Sequence, residues 1–186
     1  DVDIIRHVIM GANIQNIGQE AFSSCDNLVS ITFPTEVSMK IGDRAFENTA
    51  LTSIQISNQI ELGNEVYKNC QNVTSIQSNA TVYGEDVFVG CQAVTDLTIN
   101  FIGADSENPK TLDYLFGTIP TTLKTITVTN AATFAENTFA NLSSVTSIEL
   151  PTNRYAKTLP EGLFAESNQL TKITIPFVGQ QTYDET

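Results

Sequence analysis

An α/β solenoid, with one short strand and one short helical turn in each repeat, is the fold class this 186-residue sequence predicts. Three observations predict it. First, an aromatic recurs at Phe22, Phe46, Tyr67, Phe88, Phe116, Phe139 and Phe164, at separations of 24, 21, 21, 28, 23 and 25 residues. Second, each aromatic is followed five to seven positions later by an aliphatic residue: Leu28, Leu51, Val73, Val94, Leu123, Val145 or Leu170. Third, three positions beyond stand Ile31, Ile54, Ile76, Leu97, Ile126, Ile148 and Ile173, and two further on Phe33, Ile56, Ile99, Val128, Leu150 and Ile175, with Ser78 the one polar residue in that series. Periods of this length belong to stacked repeats, in which no unit buries its own apolar face and neighbours share one continuous core.

The elements follow in chain order. "IIRHVIMG" places Ile5, Val8 and Met10 in the same three slots, so residues 1–13 read as a partial repeat. About seven repeats follow over 14–178, and the whole of 1–186 reads as a single solenoid. The chain lacks an initiator Met and begins and ends on bare strands, so it is expected to be a fragment of a longer, capped chain. Within each repeat the last slots alternate with period two and often run into Pro, as in "SITFP", "SIELP" and "KITIP", which is the pattern of a short strand. Upstream, "IGQEAF", "IGDRAF", "LGNEVY" and "YGEDVF" put Gly and acidic residues ahead of the aromatic. That suits a turn entering a short helix whose N-terminus favours negative charge. Glu20, Asp43, Glu65, Glu85, Asp86, Glu136 and Glu161 are accordingly read as helix starts and not as paired catalytic acids.

Residues 17–34, "IGQEAFSSCDNLVSITFP", closely match the unit I-G-x-x-A-F-x-x-C-x-x-L-x-x-I-x-L-P, with Phe33 in place of the last Leu. The chain thus resembles the BspA-type leucine-rich repeat family over about residues 14–178. Repeats five to seven depart from the unit: "YLFGTIPTTLKTITV" lacks the Cys, and "LPEGLFAESNQLTKITIP" has Pro160 where the Gly stood. The resemblance implies a right-handed leucine-rich-repeat solenoid with a parallel sheet on the concave face and the helical turns on the convex side. It further implies an exported microbial surface protein.

Composition narrows the function classes. With 21 acidic against 9 basic residues the formal net charge is -12, so nucleic acid is repelled before contact. Apolar residues make up 41% and charged residues only 16%, which leaves a surface that is largely polar but uncharged. No apolar run reaches the roughly 18 to 20 residues of a membrane helix, so no membrane insertion is expected here. Cys25, Cys70 and Cys91 all lie three residues after the repeat aromatic and are expected to be small buried core residues with three unoxidised thiols. His7 is the only histidine, which removes most acid–base and zinc chemistry. "DSEN" at 105–108 lacks the spaced ligands of a calcium loop, and no phosphate-cradling or nucleophile motif appears. No cofactor, no metal and no catalysis are expected. The sequons at Asn72, Asn79 and Asn141 are about as many as chance supplies.

Strand parity turns two columns outward on the predicted sheet. One contains Ser53, Ser75, Asp96 and Thr125, the other Gln55, Gln77, Thr98 and Thr127, and these eight are the candidate ligand-binding residues for a protein partner. Most of the negative charge is then expected on the convex side and flanks. The loop alternative is Arg154 with Tyr155 in "TNRYAK", and the inserted "NFIGADSENPKTLDY" is expected to carry aromatics to the surface. The functional reading is a surface recognition or adhesion module for a host or neighbouring-cell protein. A spacer that presents other domains is the alternative. Glycan binding comes third, disfavoured by the absence of Trp from the chain and of aromatics from both columns.

Overall fold

The computed structural model describes residues 4–35, 37–57, 59–131, 133–151 and 158–175. In chain order its elements are β1 (His7–Ile9), β2 (Asn16–Ile17), β3 (Ser30–Thr32), β4 (Met39–Ile41), β5 (Ser53–Ile56), β6 (Ile60–Leu62), β7 (Ser75–Ser78), β8 (Val82–Tyr83), β9 (Asp96–Ile99), β10 (Gly103–Asp105), β11 (Asn108–Pro109), α1 (Asp113–Phe116), β12 (Thr125–Val128), β13 (Ser147–Glu149) and β14 (Lys172–Thr174). They form a parallel-strand solenoid.

The predicted strands stack as β5, β7, β9, β12, β13 and β14 into one parallel six-stranded sheet. Its register aligns equivalent residues: Ile54, Ile76, Leu97, Ile126, Ile148 and Ile173 pair in turn. The first five point into the core with at most 2% exposure, whereas Ile173, on the last described strand, is 40% exposed. At the other end β1 pairs with β3 in a separate two-stranded parallel sheet, which meets β5 through the Thr52 amide on the Val29 carbonyl at 3.3 Å.

A second parallel sheet, β2, β4, β6 and β8, covers another side of the coil, and the sequence reading missed it. Its signal was present: Met39-x-Ile41 and Ile60-x-Leu62 alternate with period two just before Gly42 and Gly63, and all four apolar residues are buried. The glycine after each strand is required by close stacking. A Cβ on Gly42 would lie 2.6 Å from the Gln19 backbone nitrogen, and one on Gly84 would collide with the Gly63 carbonyl.

The predicted helical turns are not helices. Among the described residues the only helix is the four-residue α1, so the α/β assignment and the helical turns give way to a strand-and-turn coil. The reason lies in the hydrogen bonding of the arms that carry the aromatics. Alternate amides reach across to the next rung, with Phe22 donating to Ala45, Phe46 to Val66 and Tyr67 to Val87 at 2.8 to 2.9 Å. Only the intervening amides bond within the arm, three residues back, as Ala45 does to Gly42 at 3.2 Å. Half the donors an α-helix needs are thereby spent between rungs. Left-handed residues recur four apart to turn them, at Glu20 and Ser24, Arg44 and Asn48, Glu65 and Asn69. Glu20, Glu65 and Asp86 therefore occupy left-handed turn positions and not helix starts, and Asp43 serves as an acceptor for the next rung through Asn64.

The core is one stack of equivalent side chains. Rings follow one another at 5.4 Å (Phe22 to Phe46), 5.5 Å (Phe46 to Tyr67) and 5.9 Å (Tyr67 to Phe88). The polar exception in the core series has its explanation here. Ser78 stands where other rungs have Ile56 or Ile99, and its hydroxyl shares a 2.7 Å hydrogen bond with the Tyr83 hydroxyl, whose own proton goes to Asn100 Oδ1 at 2.9 Å. Tyr83 in turn occupies the register position of Leu62. A small residue on one strand matches a large one on the other, and the buried hydroxyls satisfy each other.

Candidate recognition face

The outward surface of the six-stranded sheet carries both predicted columns. Ser53, Ser75, Asp96, Thr125, Ser147 and Lys172 pair strand to strand, as do Gln55, Gln77, Thr98, Thr127, Glu149 and Thr174. Ser53, Gln55, Ser75, Gln77 and Asp96 are exposed, and Thr98, Thr125 and Thr127 are half-buried between their neighbours. Successive rows stand one strand spacing apart, roughly 4.8 Å. A third column precedes them and was not singled out from the sequence, although "LTSI" and "VTSI" repeat it. Thr74 donates its hydroxyl to the Thr52 carbonyl at 3.4 Å, and Thr146 and Thr171 repeat the bond to the carbonyls of Lys124 and Thr146, whereas the Thr95 hydroxyl, 3.1 Å from the Thr74 carbonyl, gives its proton to Asp96. These threonines join rung to rung along one border of the face.

Asp96 is the exception on this neutral surface. Thr125 donates its hydroxyl to Asp96 Oδ1 at 2.5 Å and Thr95 to Oδ2 at 2.6 Å. The Thr125 bond first, and the Thr95 bond second, hold the carboxyl below its ordinary range despite some burial. It is thus a fixed negative charge among hydroxyls and amides.

Charge is concentrated on the arms instead. Arg44 bridges Glu65 and approaches Glu20 at 3.9 Å, while Lys68 meets Glu65 at 2.6 Å and Glu47 at 4.0 Å. The hydrogen bonds from Lys68 and then Arg44 lower the Glu65 carboxyl. On the outer surface of the four-stranded sheet Lys40 pairs with Glu61 at 2.8 Å, beside an open depression lined by Gln15, Asn16, Ser38 and Gln59.

The inserted segment does not present aromatics to solvent as expected. It folds into the β10–β11 hairpin, and Phe101 is 6% exposed, packed edge-on against Tyr83 at 5.3 Å. Tyr114 is half-buried, with its hydroxyl on the Tyr83 carbonyl at 3.0 Å. Asp105 of "DSEN" accepts the backbone amides of Glu107 and Asn108 at 2.9 and 3.1 Å, a turn-closing role. The loop alternative, Arg154 with Tyr155, lies outside the described residues.

The three cysteines are thiols and are buried. Cys70 and Cys91 each donate S–H to the carbonyl of the aromatic one rung earlier, Phe46 and Tyr67, at 3.2 Å. Ser167 fills the same slot later in the chain and makes the same bond to Phe139 at 2.6 Å. In these three rungs the slot holds a small donor. The hydrogen bond shared with Cys70, together with burial, pushes the Cys91 thiol well above its ordinary value. Among the described residues no cluster of three or more His, Cys, Asp and Glu is placed to hold a metal, and no helix is long and apolar enough to cross a membrane.

The rung geometry has a known counterpart, since the sequence model of the BspA type leucine rich repeat region matches residues 3–108 and 84–184, with six copies. The chain belongs to the BspA-type leucine-rich repeat family. Among solved structures this BspA-type chain is similar to the leucine-rich repeat protein of T. pallidum, at 20% identity and a TM-score of 0.50, over 90% of this chain and 68% of that one. It is also similar to a leucine rich cell surface protein from Faecalibacterium prausnitzii, at 17% identity and a TM-score of 0.40, over 95% of this chain and 61% of that one. No curated protein matches the sequence.

Proposed function

We propose that this BspA-type solenoid is a recognition module of an exported microbial surface protein, and that it holds a protein partner on the outward face of its six-stranded sheet. The observation that carries the reading is the contrast between surfaces. The sheet presents aligned, exposed, uncharged hydrogen-bonding side chains at Ser53, Gln55, Ser75 and Gln77, while the arms carry charged side chains, among them Arg44 and Lys68 paired with Glu65. A broad polar face on a rigid scaffold suits a large partner better than a small substrate. Membership of the family is consistent with such a role.

The test uses fluorescently labelled chain on intact microbial and animal cells, before and after the cells are treated with protease. Saturable, protease-sensitive binding is expected, and it should fall at least tenfold when Gln55, Gln77 and Thr98 are all changed to Lys. The three side chains project outward, so thermal stability should stay within about 1 kcal/mol of the parent. Equal binding by parent and variant moves the site off the sheet. Absence of binding to every cell type leaves the spacer as the better account.

A further inference from the structure

We propose that Asp96 is the selective point of the six-stranded face, and that it takes a basic side chain, arginine above all, presented by a partner whose surrounding surface is polar but uncharged. The inference rests on the reading of that face as the recognition surface, and it names the chemistry the partner must bring.

Across β5, β7, β9 and β12 the two columns offer seven neutral side chains and one carboxylate. The stacking does not call for that carboxylate. Its register partners are Ser75 and Thr125, and Ser147 stands one strand further on, so a hydroxyl serves the same strand position three times over. Asp is also disfavoured in strands relative to Thr. No cation of this chain answers it among the described residues. Every ion pair found there involves Lys40, Arg44 or Lys68. Lys124, adjacent in sequence to Thr125, sends its ammonium to the Ser144 carbonyl at 3.3 Å. Lys172, the one cation in the same column among the described residues, stands opposite Ser147 on β14, three strands from Asp96.

Asp96 is moreover fixed before any partner arrives. Thr95 and Thr125 each occupy one of its oxygens, which sets the carboxylate plane and leaves acceptor capacity on both. Two acceptors held in one plane match the parallel N–H donors of a guanidinium, which an ammonium does not provide. Because the rotamer is already locked, little side-chain entropy remains to be lost on contact. Gln77 and Thr98 flank the site with further acceptors for the remaining guanidinium donors.

The probe is the pentapeptide acetyl-Ser-Gln-Arg-Gln-Ser-amide, compared with its isosteric, uncharged citrulline counterpart. Both are titrated into ¹⁵N-labelled chain while backbone amide shifts are followed. The arginine peptide is expected to shift Asp96, Thr98 and Thr125, and to bind about three- to fivefold more tightly than the citrulline peptide, the scale of an exposed, well-oriented ion pair. In Asp96→Asn, whose spectrum should otherwise superimpose, that ratio should fall to about one. Shifts centred on Glu85 and Asp86 with Asp96 silent would overturn the proposal, as would an unchanged ratio in the variant. If both peptides move Gln55 and Gln77 alike, the face binds but Asp96 does not select, so this inference falls and the recognition reading stands. If no resonance of the six-stranded sheet moves with either peptide, both fall.

Discussion

Between Gly42 and Cys91 the coil repeats every 21 residues, and after Asn100 it does not. In the regular part the same polar atom lies over the same amide on each rung. Asp43 Oδ1 accepts the Asn64 amide at 2.8 Å, Asn64 Oδ1 accepts the Glu85 amide at 2.9 Å, and Asn69 donates to Asn48 Oδ1 at 3.1 Å. The rings of Phe46, Tyr67 and Phe88 stack with planes only 16° and 21° apart. Where 28 residues separate Phe88 from Phe116, the planes open to 42° and the side-chain ladder stops. The extra residues fold on themselves, with Asp105 closing their turn. The side-chain amide ladders thus accompany the constant period, whereas ring stacking survives a change of length, as at Phe139 and Phe164 with planes 10° apart, and the strands stay in register throughout, because an insertion that satisfies its own polar groups costs the stack little.

The largest effect should come from charging the shared core. Ile76, 2% exposed on β7, one strand in from the β5 edge of the six-stranded sheet, has apolar neighbours on both sides in Ile54 and Leu97. Ile76→Asp leaves an uncompensated charge there and should cost about 3 to 5 kcal/mol, with loss of the cooperative melt followed by circular dichroism. Ile173→Asp, on the half-open last strand, should lower the melting temperature far less. Similar losses in both would mean that burial does not decline toward that strand.

The next contrast isolates the close approach of backbones. A Cβ on Gly42 meets the Gln19 backbone at 2.6 Å, whereas one on Gly18 meets nothing within 4 Å. Gly42→Ala should destabilise by about 1 to 3 kcal/mol, as overpacking does, while Gly18→Ala should be neutral or mildly stabilising. Equal urea midpoints for the two variants would contradict the stacked-glycine geometry.

How much of this was legible follows from what each residue type reports. Apolar periodicity marks burial, so the six strand slots, the register and the outward columns could be read before the structure. It does not report which carbonyl an amide chooses. The arms therefore read as helix, since acidic residues before an aromatic suit a helix start and a left-handed turn equally well, and only the rung-to-rung bonds of Phe22, Phe46 and Tyr67 separate the two. The second sheet was overlooked because its strands are two or three residues long, too short for alternation to stand out. Asp96 was legible as an outward residue, but its fixation by Thr95 and Thr125 depends on a rung-to-rung contact across 29 residues.

Two core tyrosines offer a finer test. The Tyr83 hydroxyl has two partners, Ser78 and Asn100, whereas the Tyr67 hydroxyl is buried without one. Burial raises the pKa of both phenols, so both stay neutral across the working range. Tyr83→Phe should lose about 1 kcal/mol, and Tyr67→Phe should gain a similar amount by removing an unpaid desolvation. Opposite signs in denaturant melts are the expected result, and destabilisation by both would mean that Tyr67 has a partner after all.

The smallest effect separates two ways of holding a carboxylate. Glu65, in the regular part, is lowered mainly by its bonds to Lys68 and Arg44, whereas Asp105, in the insertion, is lowered mainly by the Glu107 backbone amide and then by the Asn108 side chain. Both are depressed in the folded state. Their contribution to stability is therefore complete above the unfolded carboxylate values near pH 4, and it is lost as pH falls through the folded ones. The two should differ in salt. At 1 M ionic strength the screening length shrinks to about 3 Å, which weakens attraction to the Lys68 and Arg44 cations but leaves a backbone amide bond nearly untouched. Carboxyl-carbon titrations in low and high salt should show Glu65 moving back toward its ordinary value while Asp105 stays depressed. If the two respond alike, the ion pairs of the arms add nothing beyond their hydrogen bonds, and the regular half of the coil is held by its ladders alone.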